Sequence, residues 1–196
     1  MELPAIEVFY KNINGKSLLL LSGDMQPIDE ISCYEFCDQI LDILTEQKGK
    51  KEIITLGGIA LEKNIKNPKL YATANEKKIS EKYPKKFLKN NMYGMVGPII
   101  GVSGILVGLA GKRKIPAVSL LAETYWHPNH LFLRSAREII KLLNEKLRLN
   151  LNLKEINQEI RNIEGDDFNN EEDNMPNRIK KLKKTALQPK DINYIG

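Results

Sequence analysis

The chain has 196 residues, of which 42% are hydrophobic and 28% charged, a balance that favours a folded protein over a disordered one. Its net charge of +5 is modest, and no apolar run approaches the roughly 18 residues that would cross a bilayer. Residues 1–10 lack the basic segment that opens a signal peptide. We therefore expect a cytoplasmic protein whose length suits one α/β domain with a sizeable core.

The first elements in chain order are a predicted β-hairpin and a predicted helix. Apolar runs at 5–10 and 17–21 flank the turn-forming sequence Asn-Ile-Asn-Gly at 12–15, which indicates two antiparallel strands. A helix that stops before Gly49 is predicted next, because apolar residues recur there at helical spacing. These residues are Ile31, Tyr34, Cys37, Ile40, Leu41 and Leu44.

A β-branched run at 52–56 predicts a strand that ends at Gly57 and Gly58. Together with the preceding strand and helix it forms a crossover unit, which favours a parallel sheet with helices on its faces. The alternation then repeats, with a strand at 70–74 and a short helix at 76–83. The predicted fold class is therefore α/β, with a mostly parallel sheet flanked by helices in three layers.

Glycines recur every three or four residues in the segment 94–111, a spacing that lets a helix approach a sheet closely. An apolar strand at 116–122 follows, and then a long helix at 129–147 and a shorter one at 153–163. No helix or strand is predicted beyond this last helix. We therefore place an α/β domain at residues 1–164.

Residues 165–196 have the composition of a linker and a tail. The segment 165–174 is acidic and too poor in apolar residues to pack, whereas the chain from 178 onwards is basic and ends in an apolar tip. Basic residues are also concentrated at 77–89. No recognised nucleic-acid module accompanies them, so we interpret them as solvated surface and expect no nucleic-acid partner.

Candidate catalytic and metal-binding residues are few. Ser103 lies in a glycine-rich run, but Ile105 occupies the place where a nucleophile elbow needs glycine. Glu123, His127 and His130 have a spacing compatible with metal ligands, yet one such group on a loop favours ordinary polar residues. We expect no catalytic site and no metal site, and hence a protein that is not an enzyme.

The cysteines and glycines likewise predict no cofactor. Cys33 and Cys37 share a helix face without a second pair of ligands, which favours buried thiols over zinc. Gly57 and Gly58 are not followed by the lysine of a phosphate-binding loop.

A small-molecule crevice at the carboxyl ends of the strands is the alternative function, since ligands of open α/β sheets bind there. Its candidate residues follow predicted strands or belong to the glycine-rich run, and tight turns alone would also explain the glycines. The residues are Gly23, Asp24, Gly57, Gly58, Ser103, Glu123 and Thr124.

Four ordered motifs resemble the archaeal branch of the proteasome-assembly-chaperone-like family. They are Leu-Leu-Leu-Ser-Gly-Asp-Met-Gln-Pro at 19–27, Ile-Thr-Leu-Gly-Gly at 54–58, the run from Gly97 to Leu109, and Leu-Ala-Glu-Thr at 121–124. The resemblance implies a three-layer fold similar to nucleoside phosphorylases and hydrolases, without a known catalytic site. It also implies homo-oligomers that assist the assembly of proteasome α-subunits. Some members are labelled ATP-grasp proteins, but this chain lacks a nucleotide loop.

The resemblance also implies a docking tail, because family chaperones insert a C-terminal hydrophobic residue, a tyrosine and any last residue between α-subunits. The corresponding residues here are Ile192, Tyr194, Ile195 and Gly196. The tyrosine stands one place early, and asparagine precedes it where the motif has a hydrophobic residue.

A second departure concerns the first segment, since relatives begin with a further strand and a Gly-Leu-Pro-Gly-like turn. This sequence begins after that segment. An uncovered strand edge invites association, so we expect a homo-oligomer in which a neighbouring subunit covers the edge.

Overall fold

A computed structural model describes residues 5–61, 65–89, 99–125 and 133–167, with backbone only for 163–167. In chain order its elements are β1 (Ile6–Ile13), β2 (Lys16–Gly23), α1 (Glu30–Glu46), β3 (Ile53–Leu61), β4 (Leu70–Ala74), α2 (Lys77–Ser80), α3 (Val102–Lys112), β5 (Ala117–Tyr125), α4 (Leu133–Leu147) and α5 (Lys154–Asp167). None of the helices within these ranges is long and apolar enough to cross a membrane.

The β1–β2 hairpin forms a two-stranded sheet of its own and confirms the first prediction. Its strands pair antiparallel from Ile6 opposite Gly23 to Ile13 opposite Lys16. Asn14 and Gly15 make the two-residue turn with φ angles of 52° and 75°. Positive φ at both positions matches the twist of the strands, and asparagine followed by glycine tolerates it best.

The main sheet has three strands in the order β3–β5–β4. β3 and β5 pair in parallel over their full length, whereas the shorter β4 pairs antiparallel with β5. The α/β fold with a mostly parallel sheet is therefore confirmed. The crossover unit predicted from β2 through α1 to β3 is wrong, because among the described strands β2 pairs with β1 alone and the parallel neighbour of β3 is β5.

Strand β3 does not end at Gly57 and Gly58 as predicted, but continues through them to Leu61. These glycines lie in register with Leu121 and Ala122 of β5, which continues the parallel pairing past them. A β-carbon on Gly58 would lie 3.1 Å from the Cγ2 of Thr124. This glycine therefore marks a close side-chain contact within the sheet and not a turn.

Two apolar clusters sandwich β5, which is buried along almost its whole length. Val118, Leu120 and Ala122 pack with Ile139 and Leu142 of α4 on one face. On the other face, Ala117 joins residues of α1 and α3. Side chains alternate between the faces of a strand, so β5 is the centre of the predicted three-layer arrangement.

Helix α1 buries a narrower face than the apolar spacing predicted. Cys33, Cys37 and Leu41 are buried, which confirms the prediction of buried thiols, and Cys37 and Leu41 pack with residues of α3 and the sheet. Ile31 and Tyr34, predicted on the same face, are 72% and 43% exposed. The helix begins after Asp29, whose carboxylate accepts a hydrogen bond from the Ser32 N–H at 2.9 Å.

The remaining boundaries differ from the predictions at the ends of the elements. α2 covers only Lys77–Ser80, half the predicted segment 76–83. The start of the long helix predicted at 129–147 lies partly outside the described residues, which resume at 133. α5 continues to Asp167, so the first three residues of the predicted linker are helical.

Candidate interaction surface

Asp24, predicted for a crevice, connects the two strands of the hairpin at their open end. Its carboxylate accepts a hydrogen bond from the Ala5 N–H at 3.2 Å, and its own N–H donates to the Ala5 carbonyl at 3.1 Å. Gly23 and Asp24 also line an open depression of about 360 Å³ together with Phe36 of α1 and Val102 of α3. This region joins the base of the hairpin to the first turn of α3.

Ser103 lies in that same first turn and connects α3 to β3. Its hydroxyl donates to the Leu56 carbonyl at 3.4 Å, and the Thr55 hydroxyl donates to the Ser103 carbonyl at 3.3 Å. Ser103 is buried. These contacts give the serine a structural role, because its hydroxyl donates to a backbone carbonyl.

Glu123 is a buried carboxylate at the carboxyl end of β5 and faces β4. It accepts hydrogen bonds from the Tyr71 hydroxyl at 2.8 Å and from the Lys69 N–H at 3.0 Å. The ammonium group of Lys69 lies 3.9 Å from the same carboxylate. Burial raises the pKa of Tyr71, and the hydrogen bond to Glu123 raises it further. The carboxylate therefore fixes the end of β4 against β5.

Thr124 is turned to the opposite face of the sheet from Glu123, since neighbouring side chains of a strand alternate. Its side chain lies against Gly58, and its hydroxyl donates to the Ile59 carbonyl at 3.3 Å. The candidate crevice residues thus occupy separate places: the base of the hairpin and α3, the Glu123 contact with β4, and the opposite face. Of the candidate residues, Gly23 and Asp24 line one depression, whereas Glu123 and Thr124 lie on opposite faces of the sheet.

The hairpin exposes a large apolar surface that the crevice prediction did not include. Its strands are anchored near their ends, because the Asn14 amide donates to the Arg148 carbonyl at 3.4 Å while the base lies beside Phe36 and Val102. Between these ends the large apolar side chains are roughly half exposed or more. We call them the hairpin surface: Ile6, Val8, Phe9, Tyr10, Leu19, Leu20 and Leu21.

The hairpin surface includes residues from both faces of the two-stranded sheet. Val8 and Tyr10 are 61% and 64% exposed on one face, while Phe9 on the other is 52% exposed. Contiguous exposed apolar area of this kind marks an interaction site in a folded protein. The sequence carried a signal of it, because a run of four leucines at 18–21 cannot bury both faces of a strand in a lone hairpin.

Groups suited to metal binding are absent from the described residues, where no three His, Cys, Asp or Glu side chains cluster. His127 and His130 lie outside the described residues, as do the tail residues Ile192, Tyr194, Ile195 and Gly196. Burial, with smaller contributions from Cys33 and Asp38, raises the pKa of the Cys37 thiol to about 11, which leaves it unreactive at neutral pH.

Comparison with known proteins identifies the family. The model of the PAC2 family matches residues 1–166, so the chain belongs to the PAC2 family. This confirms the resemblance to proteasome-assembly-chaperone-like proteins. No curated protein sequence matches the chain.

Solved structures of low sequence identity share the fold. PbaB of Pyrococcus furiosus, an archaeal proteasome activator, is 23% identical with a TM-score of 0.73, over 84% of this chain and 70% of that one. PbaA of the same organism, an archaeal homolog of proteasome-assembly chaperone, is 19% identical with a TM-score of 0.63, over 81% and 68%. A proteasome-assembly chaperone homologue of Mycobacterium tuberculosis is 17% identical with a TM-score of 0.64, over 87% and 70%.

Proposed function

We propose that this chain is a non-enzymatic assembly chaperone or binding protein that acts on proteasome α-subunits as a cytoplasmic homo-oligomer. The observation that carries the proposal is its membership of the PAC2 family over residues 1–166. PbaB and PbaA, which share its fold, are described as a proteasome activator and a homolog of a proteasome-assembly chaperone. Both descriptions concern the proteasome, whose subunits are therefore the first partners to test.

The hairpin surface supports a protein partner over a small ligand. Half-exposed leucines and aromatic residues on a two-stranded sheet offer apolar area to a broad partner surface. We do not propose the small-molecule alternative, because the side chains of Glu123, Ser103 and Thr124 are engaged in hydrogen bonds within the fold.

The C-terminal tail is the second part of the proposal. The part of the predicted linker and tail that follows α5, residues 168–196, would connect the folded domain to its partner, with Ile192, Tyr194, Ile195 and Gly196 entering a pocket between α-subunits. Burying Tyr194 and Ile195 would stabilise a complex by roughly 1.5 to 3 kcal/mol each, before ordering costs.

A single tail would therefore bind at about millimolar strength, where the free energy of binding is roughly 4 kcal/mol. An oligomer that presents several tails to a ring of pockets would gain on the order of a hundredfold through effective concentration. Self-association and tail docking are thus linked in this proposal, since the tail needs several copies to bind usefully.

The proposal is tested by the affinity of purified proteasome α-subunits for the full chain and for two variants. Deletion of 192–196 removes every tail and should weaken binding by more than about a hundredfold, whereas Gln188→Ala, which alters a residue outside the docking segment, should bind like the full chain. Unchanged affinity after the deletion would move the interaction to the folded domain. Absence of binding by the full chain would refute the proposal.

Two further readouts separate assembly from activation. A chaperone should speed the formation of α-subunit rings from free subunits, measured by native electrophoresis over time. An activator should instead raise the peptidase rate of proteasomes that are already assembled. The proposal expects the first effect, and an effect confined to the second would reassign the chain to activation.

A further inference from the structure

The outer edge of β1 presents backbone groups that no other described element pairs with. Ile13 and Lys16 flank the turn, so the Ile13 carbonyl accepts from the Lys16 N–H, and hydrogen-bonded pairs recur at every second residue. The Asp24 N–H donates to the Ala5 carbonyl at 3.1 Å, so Ala5, eight residues before Ile13, is also a hydrogen-bonded position. The even-numbered residues of β1, including Val8 and Tyr10, therefore direct their N–H and C=O groups to the free edge.

This edge is complementary to itself. If two copies of β1 run antiparallel with Phe9 on the two-fold axis, Val8 of each lies opposite Tyr10 of the other, and their outward backbone groups pair. Phe9 then faces Phe9 of the second copy at a position without hydrogen bonds, where side chains approach most closely.

The charges on β1 favour the same register. Glu7 and Lys11 lie two residues on either side of Phe9 and on its face of the strand. Within the hairpin their cross-strand neighbours are Ser22 and Leu18, which carry no charge. In the two-fold arrangement Glu7 of each copy lies opposite Lys11 of the other, so the interface contains two pairs of opposite charge.

We propose that two copies of this chain associate through the free edge of β1, in antiparallel register about Phe9, and form one four-stranded sheet. The inference rests on the self-association in the proposed function and names its interface. A two-stranded hairpin is marginally stable alone, whereas four strands form a self-supporting sheet. β2 is a poorer edge for this purpose, because Lys16 is its only charged residue and no charge pairing fixes its register.

Charge reversal tests the register through the dissociation constant of the dimer, measured by sedimentation velocity on the full chain. Glu7→Lys and Lys11→Glu each place two like pairs in the interface and should raise the dissociation constant about tenfold or more. The double variant restores opposite charges and should dimerise like the wild type. Glu46→Lys and Lys50→Glu, matched reversals outside β1, should leave the constant unchanged.

Cross-linking tests the geometry without depending on charge. Phe9→Cys places two thiols across the axis, where opposed Cα atoms lie about 4.5 Å apart and a disulfide can form. Leu20→Cys is the matched control, because Leu20 is 53% exposed and Phe9 52%, but two β1 strands separate Leu20 of one copy from Leu20 of the other. Mild oxidation should give a covalent dimer only with Phe9→Cys, since Cys33 and Cys37 are buried.

The outcomes separate this interface from the proposed function. An oligomer that is insensitive to both charge reversals, or that gives no Phe9→Cys dimer, would overturn the β1 interface and leave self-association and α-subunit binding standing. A wild-type chain that is monomeric at all concentrations would refute the interface and the self-association together. The affinity for α-subunits, measured separately, would still decide the client.

Discussion

Two glycines of helix α3 should respond in opposite directions to substitution by alanine. A β-carbon on Gly104 would clash with the carbonyl oxygen of Ile99, a backbone atom that would have to move away to at least 3.0 Å. A β-carbon on Gly108, one helical turn later, meets nothing within 4 Å. The same chemical change therefore tests close packing at one position and helix propensity at the other.

The magnitudes follow from these distances. Gly108→Ala should gain about 0.5–1 kcal/mol of unfolding free energy, because alanine favours the helix and restricts the unfolded chain. Gly104→Ala should lose about 2 kcal/mol or more, because displacing packed backbone costs more than the helix propensity returns. At this chain length the expected changes in Tm are a rise of roughly 1–4 °C and a fall of roughly 4–8 °C.

Thermal and urea unfolding followed by circular dichroism measure both variants against the wild type. Equal stability of Gly104→Ala and Gly108→Ala would refute the close approach of residue 99 to α3. A loss of stability in both variants would instead show that α3 tolerates no side chain at either glycine, and would contradict the open space at Gly108.

Three further predictions concern buried polar groups. Burial raises the pKa of Tyr83, whose hydroxyl donates to Glu52 at 2.8 Å, so wild-type stability should fall as pH rises above about 10, where the unfolded tyrosine ionises. Tyr83→Phe should lower the free energy of unfolding by about 1 kcal/mol at pH 7 and make it less dependent on pH above about 10, measured by urea titration. An equally steep loss of stability in the variant would show that Tyr83 is not the group responsible. The hydroxyl of Ser119 is buried with no hydrogen-bond partner among the described residues, so Ser119→Ala should raise stability by about 1 kcal/mol, and a loss would indicate a missed partner. At pH 8 thiol labelling of Cys37 should follow global unfolding, because burial raises its pKa to about 11; rapid labelling of the native protein would contradict that burial.

The local features of the fold could be predicted from the sequence. Asn14 and Gly15 specify the hairpin turn by their tolerance of positive φ, and the apolar run at 117–122 specifies a buried central strand. Both depend on neighbouring residues alone. The glycine spacing predicted a close approach of α3 to the sheet, but the near neighbour of Gly104 is Ile99, just before the helix, and Gly108 has no neighbour within 4 Å.

The failures arose where distant partners decide the outcome. Gly57 and Gly58 indicate a turn by themselves, but pairing with β5 keeps them in the strand. The partners of a strand cannot be inferred from its own residues, so the sheet that β2 joins was predicted wrongly. The exposure of apolar side chains was missed for the same reason. Ile31 and the hairpin leucines are apolar, but no described residue covers them.

Native mass spectrometry of the full chain co-purified with proteasome α-subunits from the same source tests the central claim most directly. The account predicts a stoichiometric complex that contains several copies of this chain together with α-subunits. Recovery of the chain alone, as monomer or homo-oligomer, under conditions that preserve α-subunit assemblies would contradict it.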